Sequence, residues 1–325
     1  MKYKYVIAGA DNDFYDVAFE AVRNKHEDIT YLRTPMELSP PIIRFLRDRH
    51  FGRRINMIVN LPFKSIWNRF MFNNPYTKSD DLCFVIFGAN YVQYVELGVF
   101  ESLRKRYPGC KIVCYFQDLA SKCDYPHLER LKNHFDLILS FDQKDCEIYG
   151  WTYYPLVYST VDIEESNNIQ ESDIYFVGKA KDRLGEIISF FEKCDENGLR
   201  CDFHIVGVPD DQQVHKDKIV YRKQMPYAEN LQRIKKTRCM LEIMQQGGHG
   251  YTLRYCEAIA LGRKLVTNNP EIKTAPFFND RFISVFENIR DFNPQFIMDG
   301  VKDVDYNYID ELSPIRLLEF IDEKL

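Results

Sequence analysis

MQQGGHGYTLRYCEAIALGRKLVTNN, residues 244–269, sets a glycine-rich turn directly before a helical pattern and follows it with a short apolar strand. A turn of this kind, holding Gly247, Gly248 and Gly250, leaves backbone N–H groups unpaired at the start of the helix. The helix dipole adds partial positive charge there, so the stretch suits a phosphate or diphosphate. Thr252, Arg254 and Glu257 fall in the first turns, and a carboxylate at 257 is placed to accept hydrogen bonds from a ribose. Together these features read as a nucleotide-sugar site.

Outward from this stretch the chain alternates strand and helix. Apolar strands are expected at Tyr3–Ala8, Leu82–Phe87, Lys111–Phe116, Leu137–Phe141 and Tyr153–Tyr158. Helical patterns lie between them at Tyr15–Asn24, Val92–Arg106, His127–Phe135 and Gln143–Tyr149. After the polar, acidic stretch Val161–Asp173, the best linker candidate, the alternation restarts. It runs through strand Ile174–Val177, helix Asp182–Asn197, strands Asp202–Val206 and Lys218–Tyr221, helix Tyr227–Lys236, and strands Cys239–Ile243 and Lys264–Thr267. Repeated strand–helix units predict an α/β protein of two doubly wound, Rossmann-like sheets facing each other across a cleft. The domains are expected at 1–160 and 161–312, with 313–325 a capped amphipathic helix packing back on either one.

Bulk properties narrow the function. The net charge is −5, with 21 basic against 19 acidic residues up to position 160 and 22 against 29 beyond it. So acidic a chain is a poor general nucleic-acid binder. Nine cysteines, without a CxxC pair and mostly inside apolar runs, read as reduced core residues of a cytoplasmic protein. The apolar start reaches Asp11 too soon for an export signal, and no run approaches the ~20 residues a membrane span needs.

Four segments of the second half, in order, carry a resemblance: VGKAKDR at 177–183, FHIVGVP at 203–209, MPYAENLQRIKKTRCMLEI at 225–243 and GHGYTLRYCEAIALGRKLVTNN at 248–269. Over residues 173–270 the chain resembles the donor domain of GT-B-fold glycosyltransferases, the family-4-like group of lipopolysaccharide and capsule assembly. The first half resembles that family only in its alternation and in FDLILSFDQKDCEIYGWTYYP at 135–155. The resemblance implies donor contacts from Gly178, Lys179, Arg183, the loop Gly248, Gly250, Tyr251, Thr252, Leu253, Arg254, and Glu257 as ribose ligand, with the base near Gln224 and Met225. It also implies transfer to a glycan or lipid-linked acceptor, with no cofactor and no metal. The sequence departs from the family at His249, which stands where the first of two spaced glutamates is usual.

Each candidate has a plainer reading. Lys179 and Arg183 are either diphosphate donors or a solvated helix start. Arg254 is either a phosphate ligand or an i,i+3 partner of Glu257. His249 either contacts the donor or shapes its loop. Asp11 and Asp13 mimic a metal-binding DxD, yet at the tip of a first strand they sit better as acceptor-side carboxylates. Asp118 is the first choice for an acceptor base, with Asn90 and Asp142 at neighbouring strand tips.

Residues 42–72 hold Arg44, Arg47, Arg49, Arg53, Arg54, Lys64 and Arg69 against the single acid Asp48, with apolar side chains interleaved. This suggests peripheral contact with an anionic membrane, or else an insertion packed on the first domain with a solvated face. The alternative to an enzyme is a non-catalytic nucleotide-sugar-binding partner of another transferase. A dinucleotide enzyme is disfavoured because Gly9-Ala10-Asp11 does not complete GxGxxG.

Overall fold

Strands such as LCFVIF at 82–87 and KIVCYF at 111–116 are apolar almost without a break, which suits a sheet buried on both faces and hence a parallel one. A computed structural model of the protein describes residues 1–23, 26–52, 61–88, 91–120, 128–160, 162–163, 168–245, 250–300 and 304–325. It contains two such sheets, each of six strands. The chain divides into one unit of residues 1–155 with 314–325, and a second of 156–313.

In the first unit β1 (Lys4–Ala8), β2 (Ile29–Leu32), β3 (Leu82–Phe87), β4 (Lys111–Phe116), β5 (Leu137–Ser140) and β6 (Thr152–Tyr153) run parallel in the order 2-1-3-4-5-6. Its helices are α1 (Asp13–Ala18), α2 (Pro41–Phe51), α3 (Tyr91–Leu97), α4 (Val99–Arg106) and α5 (Gln143–Tyr149). The single helix expected over Val92–Arg106 is two, because Gly98 takes a left-handed φ of 68° between them. The segment expected as a helix at His127–Phe135 forms a 3-10 turn over Leu128–Asn133. The strand expected at Tyr153–Tyr158 is only Thr152–Tyr153, since Pro155 has no N–H to give the ladder.

In the second unit β7 (Ser172–Lys179), β8 (Cys201–Val206), β9 (Ile219–Arg222), β10 (Thr237–Glu242), β11 (Lys264–Thr267) and β12 (Ile283–Val285) are again all parallel. Their order is 12-11-10-7-8-9, so the winding reverses between β7 and β10. Loops at the carboxyl ends of those two strands therefore diverge and leave a crevice for a ligand. The helices are α6 (Leu184–Glu196), α7 (Tyr227–Lys236), α8 (Leu253–Ala260) and α9 (Gln295–Met298). Phe176, Phe190, Phe191, Phe203 and Phe292 fill the space between α6 and the sheet.

The boundary falls at 155/156 rather than 160/161. Tyr158 is fully buried in the second unit: its N–H donates to Leu312 O at 2.7 Å and its hydroxyl meets that of Tyr227 at 2.8 Å. The closing helix α10 (Pro314–Lys324) belongs to the first unit, where Leu317, Leu318 and Ile321 are buried and Phe320 packs on Tyr154. A polar clasp fixes it: the Tyr5 hydroxyl donates to Asp322 Oδ1 at 2.5 Å and lies 3.0 Å from Leu318 O, while Lys2 N–H donates to Asp322 Oδ2 at 2.8 Å. Among the described residues the cysteines are free thiols, six of them buried, and no helix is long and apolar enough to cross a membrane.

Tyr5→Phe keeps the ring but removes the hydroxyl donor of Asp322 Oδ1, at a cost of ~1–2 kcal/mol. We expect a lower midpoint in denaturant unfolding. An unchanged midpoint would mean that apolar packing alone holds α10.

Candidate functional site

The crevice between β7 and β10 is lined by cations that the two strand ends bring together. Arg183 folds back over the end of β7: its Nε and Nη2 lie 3.3 and 3.2 Å from Lys179 O, and its Nη1 donates to Ile243 O just past β10. Gly178 leaves it room, since a Cβ there would stand 3.1 Å from Arg183 Nη2. Lys181, in the left-handed region at φ 46°, donates through Nζ to Gln245 Oε1 at 2.9 Å. The ammonium of Lys179 is exposed and has no hydrogen bond or ion pair among the described residues. Arg254 reaches across from α8 to donate to Val177 O at 2.7 Å. Burial, and then the nearby Arg254 charge, lowers the pKa of the Arg183 guanidinium. Two crowded guanidiniums favour an anion.

The start of α8 is tightly organised beneath them. Thr252 is its N-cap, accepting from Arg254 N–H at 3.2 Å and donating to Glu242 Oε1. Glu242 is buried, and its other oxygen accepts from Thr267 Oγ1 at 2.5 Å. Gly250, at φ 71°, donates to Glu271 Oε2 at 2.7 Å and accepts from Asn269 Nδ2 at 2.9 Å. Tyr251 packs edge-on against Tyr255 and Phe277, which stack on one another at 4.7 Å.

Glu257 has no exposed surface. Its Oε1 accepts from Tyr227 Oη and Asn230 Nδ2, both at 2.9 Å, and its Oε2 from Arg254 Nη1. Tyr227 donates to the carboxylate, so Tyr158 must donate to Tyr227. Asn230 Oδ1 accepts from the Tyr175 hydroxyl at 2.9 Å, which also lies 3.2 Å from Met225 Sδ. Burial, and then the Glu257 charge, raises the pKa of Tyr158 and Tyr227, which keeps both as donors. For Arg254, burial works against the charge, but Glu257 with Tyr175 and Tyr227 together outweigh it and raise the pKa. In this arrangement Glu257 is the counter-ion of Arg254, and a ribose hydroxyl reaches it only by displacing a protein donor.

The structure thus brings Gly178, Lys179, Arg183, Gly250, Tyr251, Thr252, Leu253, Arg254 and Glu257 to one end of the second sheet. Gln224 is exposed just ahead of α7, and Met225 is engaged by Tyr175. Gly247, Gly248, His249 and Asn90 lie outside the described residues. Glu242, Tyr158, Tyr175, Tyr227 and Asn230 were not anticipated, and only the position of Glu242 at a strand end signals a role.

In the first unit Arg33 gathers Asp11, Asp13 and Asp16 at 2.6, 2.8 and 3.0 Å, so the first two are exposed but ion-paired carboxylates. Asn12 between them caps α1, accepting from Phe14 N–H. Asp142 is buried as the N-cap of α5, accepting from Asp145 N–H at 2.7 Å. Asp118 is exposed past the end of β4, with Oδ1 accepting from Leu119 N–H at 2.9 Å.

No family model matches the chain, and no curated protein matches it. Among solved structures it is similar to an alpha-glucosyltransferase in complex with UDP-glucose and DNA containing an abasic site, at 15% identity and TM-score 0.47, covering 98% of this chain and 89% of that one. It is similar to the glycotransferase of kitacinnamycin at 10% identity and TM-score 0.46 over 100% of both chains. It is also similar to a trehalose-6-phosphate synthase at 11% identity and TM-score 0.49, covering 98% of this chain and 95% of that one. Each is a likeness in chain course at low identity.

Glu257→Gln would leave Arg254 without its counter-charge, so we expect a loss of about 3 kcal/mol in the ligand-free protein. Thermal or denaturant unfolding measures it. A loss below ~1 kcal/mol would remove the structural role and leave ligand contact as the reason for the residue.

Proposed function

We propose that this protein is a glycosyltransferase of the GT-B kind, whose second unit holds a nucleotide-diphospho-sugar. The observation that carries this reading is the meeting of Arg183 and Arg254, beside Lys179, which has no partner among the described residues, and the start of α8, at the point where the second sheet reverses its winding. Positive groups fixed there are suited to the charge that develops on a departing diphosphate. They supply it without a metal.

In the reaction, the acceptor oxygen forms a bond to the anomeric carbon as the bond from that carbon to the diphosphate breaks, its electron pair leaving with the phosphate. The acceptor hydroxyl loses its proton. We assign the proton to Asp118, because Asp11 and Asp13 are engaged by Arg33 whereas Asp118 has no ion pair among the described residues. His249, which precedes α8 in the sequence and lies outside the described residues, remains a candidate for donor contact. The acceptor we favour is a glycan or a lipid-linked glycan on the cytoplasmic side of a membrane, in cell-surface polysaccharide assembly.

Incubating the protein with a panel of nucleotide sugars and following hydrolysis or transfer tests this reading. Lys179→Ala should weaken donor binding by roughly 10-fold, the worth of one hydrogen bond to a charged group, without altering unfolding. Asp118→Asn should lower turnover by ~10²–10⁴-fold while leaving donor binding intact. Binding without turnover on any acceptor would favour a non-catalytic nucleotide-sugar-binding partner. Absence of binding to any nucleotide would refute both.

A further inference from the structure

Six of the eleven large apolar side chains exposed among the described residues lie within one short stretch: Leu38, Ile42, Phe45, Leu46, Phe63 and Ile66. Elsewhere such side chains are scattered, which is ordinary for a protein surface. Clustering is not. Ile42, Phe45, Leu46 and Arg49 follow one another at i, i+3, i+4 and i+7 and so share a stripe of α2. All four are exposed, whereas Ile43 and Phe51 pack against the core of the first unit. The helix is thus apolar on its outer side as well as its inner one. Of the wider segment 42–72, Trp67, Met71 and Phe72 are buried and residues 53–60 lie outside the described residues, so the surface is narrower than the sequence suggested.

The neighbouring 3-10 helix, Lys64–Phe70, is fastened to α2 through His50. Trp67 can only donate and Pro62 O only accept, so His50 Nδ1 accepts from Trp67 Nε1 at 2.9 Å and its Nε2–H donates to Pro62 O at 2.9 Å. This holds Phe63 and Ile66 beside the α2 stripe. Phe63 is 77% exposed with a left-handed φ of 61°, a backbone a bulky residue adopts only when its surroundings impose it. Around the apolar side chains stand Arg44, Arg47, Arg49, Lys64 and Arg69, with Asp48 as the only acid among the described residues of 38–70. Arg47 takes up Asp48 at 3.0 Å, and the Arg49 guanidinium lies 5.1 Å over the Phe45 ring, at the rim of the apolar stripe. This basic patch belongs to a chain whose net charge is −5.

We infer that the outer face of α2, with Phe63 and Ile66, docks on an anionic lipid surface, the apolar side chains entering the acyl boundary and the arginines meeting the headgroups. Apolar insertion combined with charge attraction is what such a surface rewards. A nucleic-acid backbone uses the arginines but has no use for Leu38, Ile42, Leu46 and Ile66, which form most of the patch. A second copy of the chain would set one basic rim against another. The inference does not depend on the donor reading, since every residue in it belongs to the first unit.

The test is co-sedimentation of the full chain with vesicles of phosphatidylcholine alone or mixed with phosphatidylglycerol. Binding should require phosphatidylglycerol and fall as salt is raised. The double variant Phe45→Ser/Phe63→Ser should bind at least ~10-fold more weakly, because two exposed rings would no longer insert. Arg44→Gln/Arg49→Gln should also bind ~10-fold more weakly. All these side chains are exposed, so the unfolding midpoint should stay in place. Binding that ignores lipid charge, or that neither variant changes, would overturn the inference. Oligonucleotide binding lost in the arginine variant but kept in the phenylalanine variant would replace it with nucleic-acid contact. Self-association in sedimentation velocity, dissolved by the phenylalanine variant, would replace it with a homodimer.

Discussion

The ion pair of Arg254 with the buried Glu257 is the constraint on which the second unit depends. A carboxylate with no exposed surface is tolerable only when paired and hydrogen-bonded, and here every element around it contributes. Arg254 binds α8 to β7 through Val177 O; Tyr227 and Asn230 bring in α7; Tyr158 ties in the segment that enters the unit. The start of α8 therefore cannot rotate without breaking several bonds at once. Its first N–H groups are held in place by a network that lies underneath them.

That network also explains why the crevice is electropositive. Arg254 spends its charge on Glu257, yet it still crowds Arg183, whose own bonds among the described residues go to the carbonyls of Lys179 and Ile243 and not to a carboxylate. A carbonyl satisfies a guanidinium's hydrogens without cancelling its charge. The uncancelled charge, together with that of Lys179, is what an anion would meet.

What the sequence discloses follows from where the information lies. Leu82–Phe87, Lys111–Phe116, Tyr227–Lys236 and Lys264–Thr267 form the elements expected of them, because continuous apolar runs and a 3.6-residue period are local signals. β2 and β12 are short edge strands, and their residues carry no run long enough to announce them. The period of Val92–Arg106 continues across Gly98, so pattern alone sees one helix where left-handed backbone makes two. The site divides in the same way. Lys179, Arg183 and Arg254 were legible because they lie in contiguous strand-end motifs. The environment of Glu257 was not, since Tyr158, Tyr175 and Tyr227 come from separate segments and meet only in the folded unit.

The first unit shows how the same residue types lose or keep a chemical role through their neighbours. Asp11-Asn12-Asp13 offers three polar side chains at a strand tip, and all three are committed: Asn12 to the Phe14 N–H of α1, Asp11 and Asp13 to Arg33. Asp142 stands at the next strand end but is buried beneath its own helix as a cap. Asp118 follows β4, in the middle of the sheet, and gives one oxygen to the adjacent N–H while its side chain remains in solvent. Partner, and not residue type, is what separates Asp118 from Asp11, Asp13 and Asp142 among the described residues.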